Sequence, residues 1–421
     1  MENRYDKYKD SGIAWIGEIP EHWEVKKIKN ICSQTNIKEN SKGNPLPYIG
    51  LENIESGSGK YVDTTSEVDG IANRFCKNNV LFGKLRPYLS KVYLAKSDGI
   101  CSTEFIVYDT KKNDCHFIHK LLLSQSFIDV VNSSTCGAKM PRANSEFINN
   151  IYTQIPPIQE QQHIATYLDQ KCGEIDELIT LQEEMITKLQ SYKQSVITEA
   201  VTKGLDKNVP LKDSGIEWIG EIPDHWNICK LKNIFLLSTG TTPKDFDKIS
   251  EGDNLINWYT PSDILDSCND LFNSQRKLSE KVIYDNKIPL FPIGTLLYVG
   301  IGASAGKVGY ANENGYSNQQ ITGLIPLECY SRFYFYYLSA LKDKIRDNAF
   351  FTTLPIINNT YLGQELIPYP PINEQQSIAN YLDQKCSEID ELISIKQQKI
   401  EKLKDYKKSL IFECVTGKRK V

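Results

Sequence analysis

Pro156–Ile179 reads PPIQEQQHIATYLDQKCGEIDELI, and Pro370–Ile393 reads PPINEQQSIANYLDQKCSEIDELI, 214 positions later. A second pair of blocks lies upstream of these. Lys9–Ile31 is KDSGIAWIGEIPEHWEVKKIKNI and Lys212–Ile234 is KDSGIEWIGEIPDHWNICKLKNI, at an offset of 203. Two long units used once each describe a duplicated domain pair; a solenoid would show shorter and more numerous repeats. Between the shared blocks the halves diverge, since Cys32–Ile155 and Phe235–Tyr369 show little alignable sequence. Drift alone would erode frame and inserts together. A preserved frame around two unlike inserts therefore predicts a common task for the frame and two different specificities for the inserts.

From Glu160 to Ala200 there is no proline and a single glycine, Gly173. Ile175, Leu178, Met185, Leu189, Tyr192 and Val196 keep the spacing of an apolar helical seam, with Gln182 as its one polar place. The second copy keeps Ile389, Leu392, Leu403, Tyr406 and Leu410. It puts Lys396 and Lys399 where Gln182 and Met185 stand, while Ile393 and Ile400 broaden its stripe. Each copy predicts a helix of roughly 35–40 residues, about 55 Å long at ~1.5 Å per residue. A long helix with an apolar seam is unstable without a partner, so the two are expected to pack as an antiparallel pair. The inserts have a different texture. Short β-rich runs at Val80–Phe82, Val92–Leu94, Phe105–Tyr108, Thr295–Val299 and Ile321–Ile325 are separated by Gly, Pro and Asn turns. One helix is expected late in each insert, over Phe117–Val131 and Arg332–Arg346. The fold class is α+β with a pseudo-two-fold internal repeat: strand-rich domains at 1–155 and 207–369, helical arms at 156–206 and 370–421.

The 421 residues carry 49 Lys+Arg against 53 Asp+Glu, with 40% hydrophobic and 24% charged residues. That balance fits a folded chain of several domains and excludes both disorder and an indiscriminately basic nucleic-acid coat. The near-neutral total hides local contrast. Residues 70–97 hold Arg74, Lys77, Lys84, Arg86, Lys91 and Lys96 with no acid, interleaved with Phe75, Phe82, Tyr88 and Tyr93. A basic run often serves only as a solvated face, yet this mixture can contact phosphates and stack on or reach base edges. Arg74, Lys77, Lys84, Arg86, Tyr88 and Lys91 are the candidates there. In the second insert the turn TGTTPK at Thr239–Lys244, the segment GASAGK at Gly302–Lys307 and the amides of Asn318, Gln319 and Gln320 supply weaker equivalents. They make Thr241, Lys244, Lys307 and Gln319 candidates.

Enzymatic patterns fail in turn. Gly302 and Gly306 are separated by three residues, and Lys307 is followed by Val308, so no phosphate-binding P-loop exists. Pro156-Pro157 and Pro370-Pro371 follow Ile155 and Tyr369, where an amino-methyltransferase motif needs Asn or Asp. Pro261-Ser262-Asp263 with Asp285-Asn286-Lys287 matches a metal-dependent nuclease pattern only loosely. Five histidines offer no nucleophilic triad, and His22 and His225 read as structural parts of the repeated frame. Eleven scattered cysteines contain no Cys-x-x-Cys pair, and Cys115, His116 and His119 read as packing residues, leaving no metal site. Unpaired thiols and a charged N-terminus without an apolar stretch point to the cytoplasm. Ile288–Gly306 is uncharged over 19 residues, but its two prolines and four glycines predict a buried strand, not a membrane span.

These motifs together resemble the specificity (S) subunit of Type I restriction–modification systems. The likeness rests on IAWIGEIPEHW at Ile13–Trp23 with its copy at Ile216–Trp226, and on the two PPI-x-EQQ-x-IA-x-YLDQK blocks at 156–171 and 370–385. VLFGKLRPYL at Val80–Leu89 and TGTTP at Thr239–Pro243 support it. It spans nearly all of residues 9–416 and implies a non-catalytic subunit. Its two target recognition domains, separated by the antiparallel arms, would each read half of an asymmetric, bipartite double-stranded DNA site. Half-sites read from one side of the duplex favour a separation near one helical turn, ~34 Å. The resemblance also implies two methyltransferase subunits docked on the repeated frame, at Glu160, Gln161, Ile164, Tyr167 and Leu168 and at Glu374, Gln375, Ile378, Tyr381 and Leu382. Restriction (nuclease) subunits would join them. S-adenosylmethionine would then belong to the methyltransferase partner, ATP and magnesium to the nuclease partner, and none to this chain. The alternatives are a nuclease or methyltransferase acting alone, and a coiled-coil scaffold without DNA function.

Overall fold

The computed structural model describes residues 4–64, 69–135, 137, 139–217, 219–243, 255–265, 270–342, 344, 350–351 and 355–421. Two compact units emerge: residues 1–183 with 396–421, and residues 184–395. The division falls inside both arms. Each unit thus contains one frame, one insert, the beginning of one arm and the end of the other.

The repeated sequence builds the same frame twice. In the first unit Tyr8–Asp10 pairs antiparallel with Glu18–Pro20, and Glu24–Lys27 pairs with Tyr152–Ile155. In the second, Leu211–Asp213 pairs with Glu221–Pro223, and Asn227–Lys230 pairs with Leu366–Tyr369. Ile19 and Trp23, and their copies Ile222 and Trp226, are wholly buried, so strand pairing and ring burial reinforce each other. The end of an arm completes each frame. Gly417, at φ +73°, lies so close that a Cβ there would sit 2.3 Å from Pro20 and 3.2 Å from the Trp23 ring. Gly204, also at φ +73°, meets Trp226 in the same way.

The inserts are strand-rich, as their turn-punctuated sequence predicts. The first has an antiparallel sheet in the order Ser33–Thr35, Phe105–Asp109, Val80–Gly83, Val92–Leu94. The second has Phe235–Thr239, Ile321–Pro326, Leu296–Val299, Val308–Ala311 and Asp270–Leu271. Val80–Gly83 and Leu296–Val299 are buried at every position, which explains their unbroken apolar composition. Leu296–Val299 is also the strand expected inside the uncharged 288–306 stretch. Among the described residues no helix is long and apolar enough to cross a membrane.

The late helices differ from expectation. The first is two helices, Cys115–Leu123 and Gln125–Ser133, broken at Ser124. Ser124 is extended (ψ 137°) and its hydroxyl donates to the Leu121 carbonyl at 2.7 Å. Serine competes with the helical ladder in this way, and a pattern of apolar residues alone does not register it. In the second insert the helix is Ser331–Ala340, and the expected continuation through 345–346 lies outside the described residues.

The arms are longer than the repeat suggests, 46 residues at Ile158–Lys203 and 44 at Ile372–Val415. Cys172, Ile175, Ile179 and Gln182 face inward in the first unit with Ile400, Leu403, Lys407, Leu410 and Cys414. In the second unit Ile186, Leu189, Lys193, Val196 and Ala200 do so with Cys386, Ile389 and Ile393. The regular 3–4 spacing of these positions is that of a packed seam. Lys407 Nζ meets Asp176 at 2.6 Å, while Lys396 Nζ donates to Gln182 at 3.4 Å, so the helices run antiparallel. The repeat reproduces the first pair in the second unit, where Lys193 Nζ meets Asp390 at 2.7 Å. Half of the expected seam is therefore in place, at Ile175, Gln182, Leu189, Val196, Ile389, Leu403 and Leu410, while its alternate positions are shifted by one residue, to Ile179, Ile186, Lys193, Ile393 and Lys407. Leu178, Met185, Tyr192, Leu392 and Tyr406 are 43–56% exposed. Both stripes are apolar in sequence, and only packing selects which one is buried.

Candidate nucleic-acid interface

Each frame is tied to its arm by one carboxylate. Glu160, in the first turn of the first arm, accepts from Trp23 Nε1 at 2.9 Å and meets His22 Nε2 at 2.5 Å. Glu374 repeats this with Trp226 Nε1 at 2.9 Å and His225 Nε2 at 2.6 Å. The indole N–H, a donor that burial would otherwise strand, thus finds an acceptor, and a negative charge sits at a helix N-terminus. The neighbouring glutamines work inside the fold as well. Gln161 accepts from Asp114 N at 2.9 Å and donates to Pro156 O at 2.8 Å. Gln375 accepts from Tyr330 N and donates to Pro370 O, both at 2.8 Å. Ile164, Leu168, Ile378 and Leu382 are at most 1% exposed. Of the ten residues that the frame resemblance marked for docking, only Tyr167 and Tyr381 keep apolar side-chain surface for a partner. The rest hold the frame together.

Sequence reading overlooked the residues that seat each insert on its arm. Asp169 receives Lys120 at 2.8 Å and His116 at 3.0 Å, donors one helical turn apart on the insert helix. Its copy Asp383 receives Arg332 Nε at 2.8 Å and Tyr336 Oη at 2.6 Å, again one turn apart. The sign was present: both aspartates stand in the repeated YLDQK, and each insert offers donors at i and i+4. Burial disfavours the ionised Asp169, but Lys120 and His116 more than offset this and lower its pKa. Arg332 also reaches Asp270 at 3.0 Å and lies over the Tyr310 and Phe335 rings at 4.9 Å, so its guanidinium is a structural centre. The first unit has a third seat, where Asp176 takes Lys60 at 3.0 Å as well as Lys407.

The six cations of residues 70–97 do not form one surface. Arg74 lies on strand Ile71–Phe75 and donates to Glu39 at 2.9 Å. Lys77 is exposed in the following turn, at the far end of Val80–Gly83 from Lys84. Lys84, Arg86, Tyr88 and Lys91 share the loop that leaves this central strand. Within it Lys91 turns back, donating to Leu51 O at 2.6 Å, whereas Tyr88 is 51% exposed. Arg86 has a left-handed backbone, φ +50°, and its N–H donates to Pro141 O at 2.7 Å.

The second insert places Lys307 where the first places Lys91. Val299 N donates to Lys307 O at 2.9 Å, as Gly83 N donates to Lys91 O at 2.9 Å, and each lysine directly precedes the next strand. Thr241 is tied down through its backbone, by Ser317 O at 2.8 Å and Trp258 Nε1 at 3.2 Å. Thr242 bonds the side chain of exposed Gln319. Lys244 lies outside the described residues. The nuclease-like Asp263 is a cap, accepting from Thr260 N at 2.7 Å and Gln275 N at 2.8 Å. Asn53 performs the same task in the first insert, accepting from Gly50 N at 2.8 Å. In the Cys115 cluster, His119 is spent on Val92 O at 3.1 Å and His116 on Asp169. Among the described residues no group of His, Cys, Asp and Glu is arranged to hold a metal ion.

Comparison with known proteins agrees with this geometry. A family model described as Type I restriction modification DNA specificity domain matches residues 20–190 and 223–405. The chain is 26% identical over 433 residues to the Type I restriction enzyme MjaVIII specificity subunit of Methanocaldococcus jannaschii, covering 96% of this chain and 94% of that one. It is 25% identical over 218 residues to the EcoDI specificity subunit of Escherichia coli, covering 50% of this chain and 46% of that one. Its fold is similar to a chain from a study of "complex assembly and conformational transition of the type I R-M system", with TM-score 0.76 at 19% identity over 94% of this chain and 98% of that one. It is also similar to the HsdS subunit from Thermoanaerobacter tengcongensis, with TM-score 0.56 at 20% identity over 95% and 98%.

Proposed function

The chain belongs to the Type I restriction modification DNA specificity family, and from that membership we propose how it works as a non-catalytic specificity subunit. Each insert reads one half of an asymmetric, bipartite site in double-stranded DNA, and the duplicated arms dock two methyltransferase subunits. The observation that carries this reading is one frame built twice around two inserts of common topology and unlike surface. Two equivalent docking surfaces suit two identical partners, whereas two different reading surfaces suit an asymmetric site. S-adenosylmethionine is then held by the methyltransferases, and ATP and magnesium by the nuclease subunits that join them.

The arms offer the docking surface through their exposed stripe. Tyr167, Leu178, Leu181 and Tyr406 belong to the first unit, and their repeat counterparts Tyr381, Leu392, Ile395 and Tyr192 to the second. Apolar side chains with exposed surface at helical spacing favour partner helices. Within the inserts, Lys84, Arg86 and Tyr88 in the first, and Lys307, Thr241 and Gln319 in the second, are the DNA contacts we propose. Arg74, on strand Ile71–Phe75, and Lys77, at the far end of Val80–Gly83, lie apart from the loop of Lys84 and Arg86 and rank below them, as does Lys91, which turns back to Leu51 O. Mapping methylated bases in cells with and without this chain tests the function. A split, asymmetric motif that vanishes with the chain is expected, and an unchanged methylation pattern would refute it. In the complex, Arg86→Ala should weaken binding to that motif by ~1–3 kcal/mol if the guanidinium reads a base.

A further inference from the structure

We infer that Arg142, well beyond the basic run in sequence, is a specificity-determining DNA contact of the first insert, aimed by Glu104. This rests on the reading just given. Leu85 and Arg142 form an isolated antiparallel bridge. Arg86 N donates to Pro141 O at 2.7 Å and Ala143 N to Lys84 O at 3.0 Å, closing a short ribbon. The ribbon sets the segment Lys84–Arg86 against Pro141–Ala143, so Lys84, Arg86 and Arg142 lie on directly paired backbone, and Tyr88 and Met140 (61%) are exposed in the flanking chain. Cations on one ribbon with exposed aromatic and apolar side chains in its flanks are suited to base contact as well as phosphate contact.

Arg142 is oriented, not loose. Its side chain is 60% exposed, yet Nη2 donates to Glu104 Oε1 at 2.7 Å. Glu104 itself is anchored, since its carbonyl accepts from Lys84 N at 2.8 Å. Its Oε2 is sealed from solvent and has no hydrogen-bond partner. A carboxylate held half-satisfied beside one cation pins that cation strongly. The bond occupies one part of a planar five-donor fork and leaves the remainder to meet a paired acceptor such as guanine O6 and N7.

The second insert builds the same ribbon with different chemistry. Ile301 and Ile356 bridge in antiparallel fashion, and Ile357 N donates to Gly300 O at 2.8 Å, each at the place of its first-insert counterpart. Gly302, at φ +97°, stands where Arg86 has φ +50°. A left-handed site easily met by glycine thus holds an arginine in the first insert. Ile356, 45% exposed, stands where Arg142 does. A guanidinium in one half and an aliphatic side chain in the other cannot read the same base.

The test uses the assembled complex with its methyltransferase subunits and sequencing of methylated sites from a randomised DNA library. Arg142→Ala should relax one G·C position in the half-site read by the first insert. It should reduce methylation of the cognate site roughly five- to a hundred-fold, leaving the other half-site intact. Arg142→Lys keeps the charge and the ion pair but not the bidentate fork, so it should relax the same position even if the alanine variant fails to fold. Glu104→Gln should loosen that position partially. An unchanged motif in both Arg142 variants overturns the inference, as does a uniform fall across all sequences without relaxation. Failure of the parent reading is separate: it appears as a wild-type complex with no sequence preference.

Discussion

At the scale of single residues, the repeat singles out Glu160 and Glu374, and the structure turns both inward. Each satisfies a buried indole N–H and a histidine at the start of an arm. Glu160→Ala should therefore destabilise the first unit by ~1–3 kcal/mol, the cost of stranding a buried donor, read as an earlier thermal transition. His119 supplies a pH signature. Desolvation, helped by the Lys120 ammonium, depresses its pKa to about 4 from 6.5, so the folded chain holds it neutral. The unfolded chain then binds the extra proton between pH ~6.5 and ~4, and stability falls as pH drops through that window. His119→Gln should flatten the melting temperature between pH 7 and 5, and an equally steep decline in the variant would show the effect lies elsewhere. Asp169, Asp176 and Asp270 are held below their usual range by their cationic neighbours. Their stabilisation is present above the ordinary carboxylate range and disappears only at lower pH than that of His119, so the two effects separate.

At the scale of elements, the helices and strands were readable because their periods are local. The lack of Pro and the 3–4 spacing announced the arms, and short apolar runs announced Val80–Gly83 and Leu296–Val299. Phase was not readable. Leu178 and Ile179 look equally apolar along one helix, and burial of the second depends on what the opposite helix presents. Ile400→Ala should thus cost ~2–4 kcal/mol as a core truncation, measured by thermal or denaturant unfolding. Leu392→Glu, on the exposed stripe, should leave the melt nearly unchanged but weaken methyltransferase assembly in size-exclusion chromatography. Intact assembly would remove that stripe as the docking face. The basic run shows the same principle. One strand length separates Lys77 from Lys84, whereas Arg142 pairs with Leu85, next to Lys84, through a backbone bridge that no spacing along the chain reveals.

At the scale of the whole molecule, the units do not follow the order of the sequence. The last residues, 396–421, belong to the first unit. Gln154 Nε2 donates to Val415 O at 2.6 Å and Tyr8 Oη donates to Gly417 O at 3.1 Å. Leu410, Ile411, Cys414 and Val415 share a core with Trp23, Ile164 and Leu168. Removing residues 396–421 should make the first unit sensitive to limited proteolysis while fragments from 184–395 survive. Equal loss of both would mean that the units do not fold independently. The sequence by itself determined the duplication, the α+β class, the paired arms and the family likeness, because repeats, periods and motif spacing are written along the chain. Only the tertiary structure decided which apolar stripe is buried, which cations lie on paired backbone, and that repeated Glu160 and Gln161 bind inward. Burial and proximity belong to pairs of residues that the fold, and not the chain order, brings together.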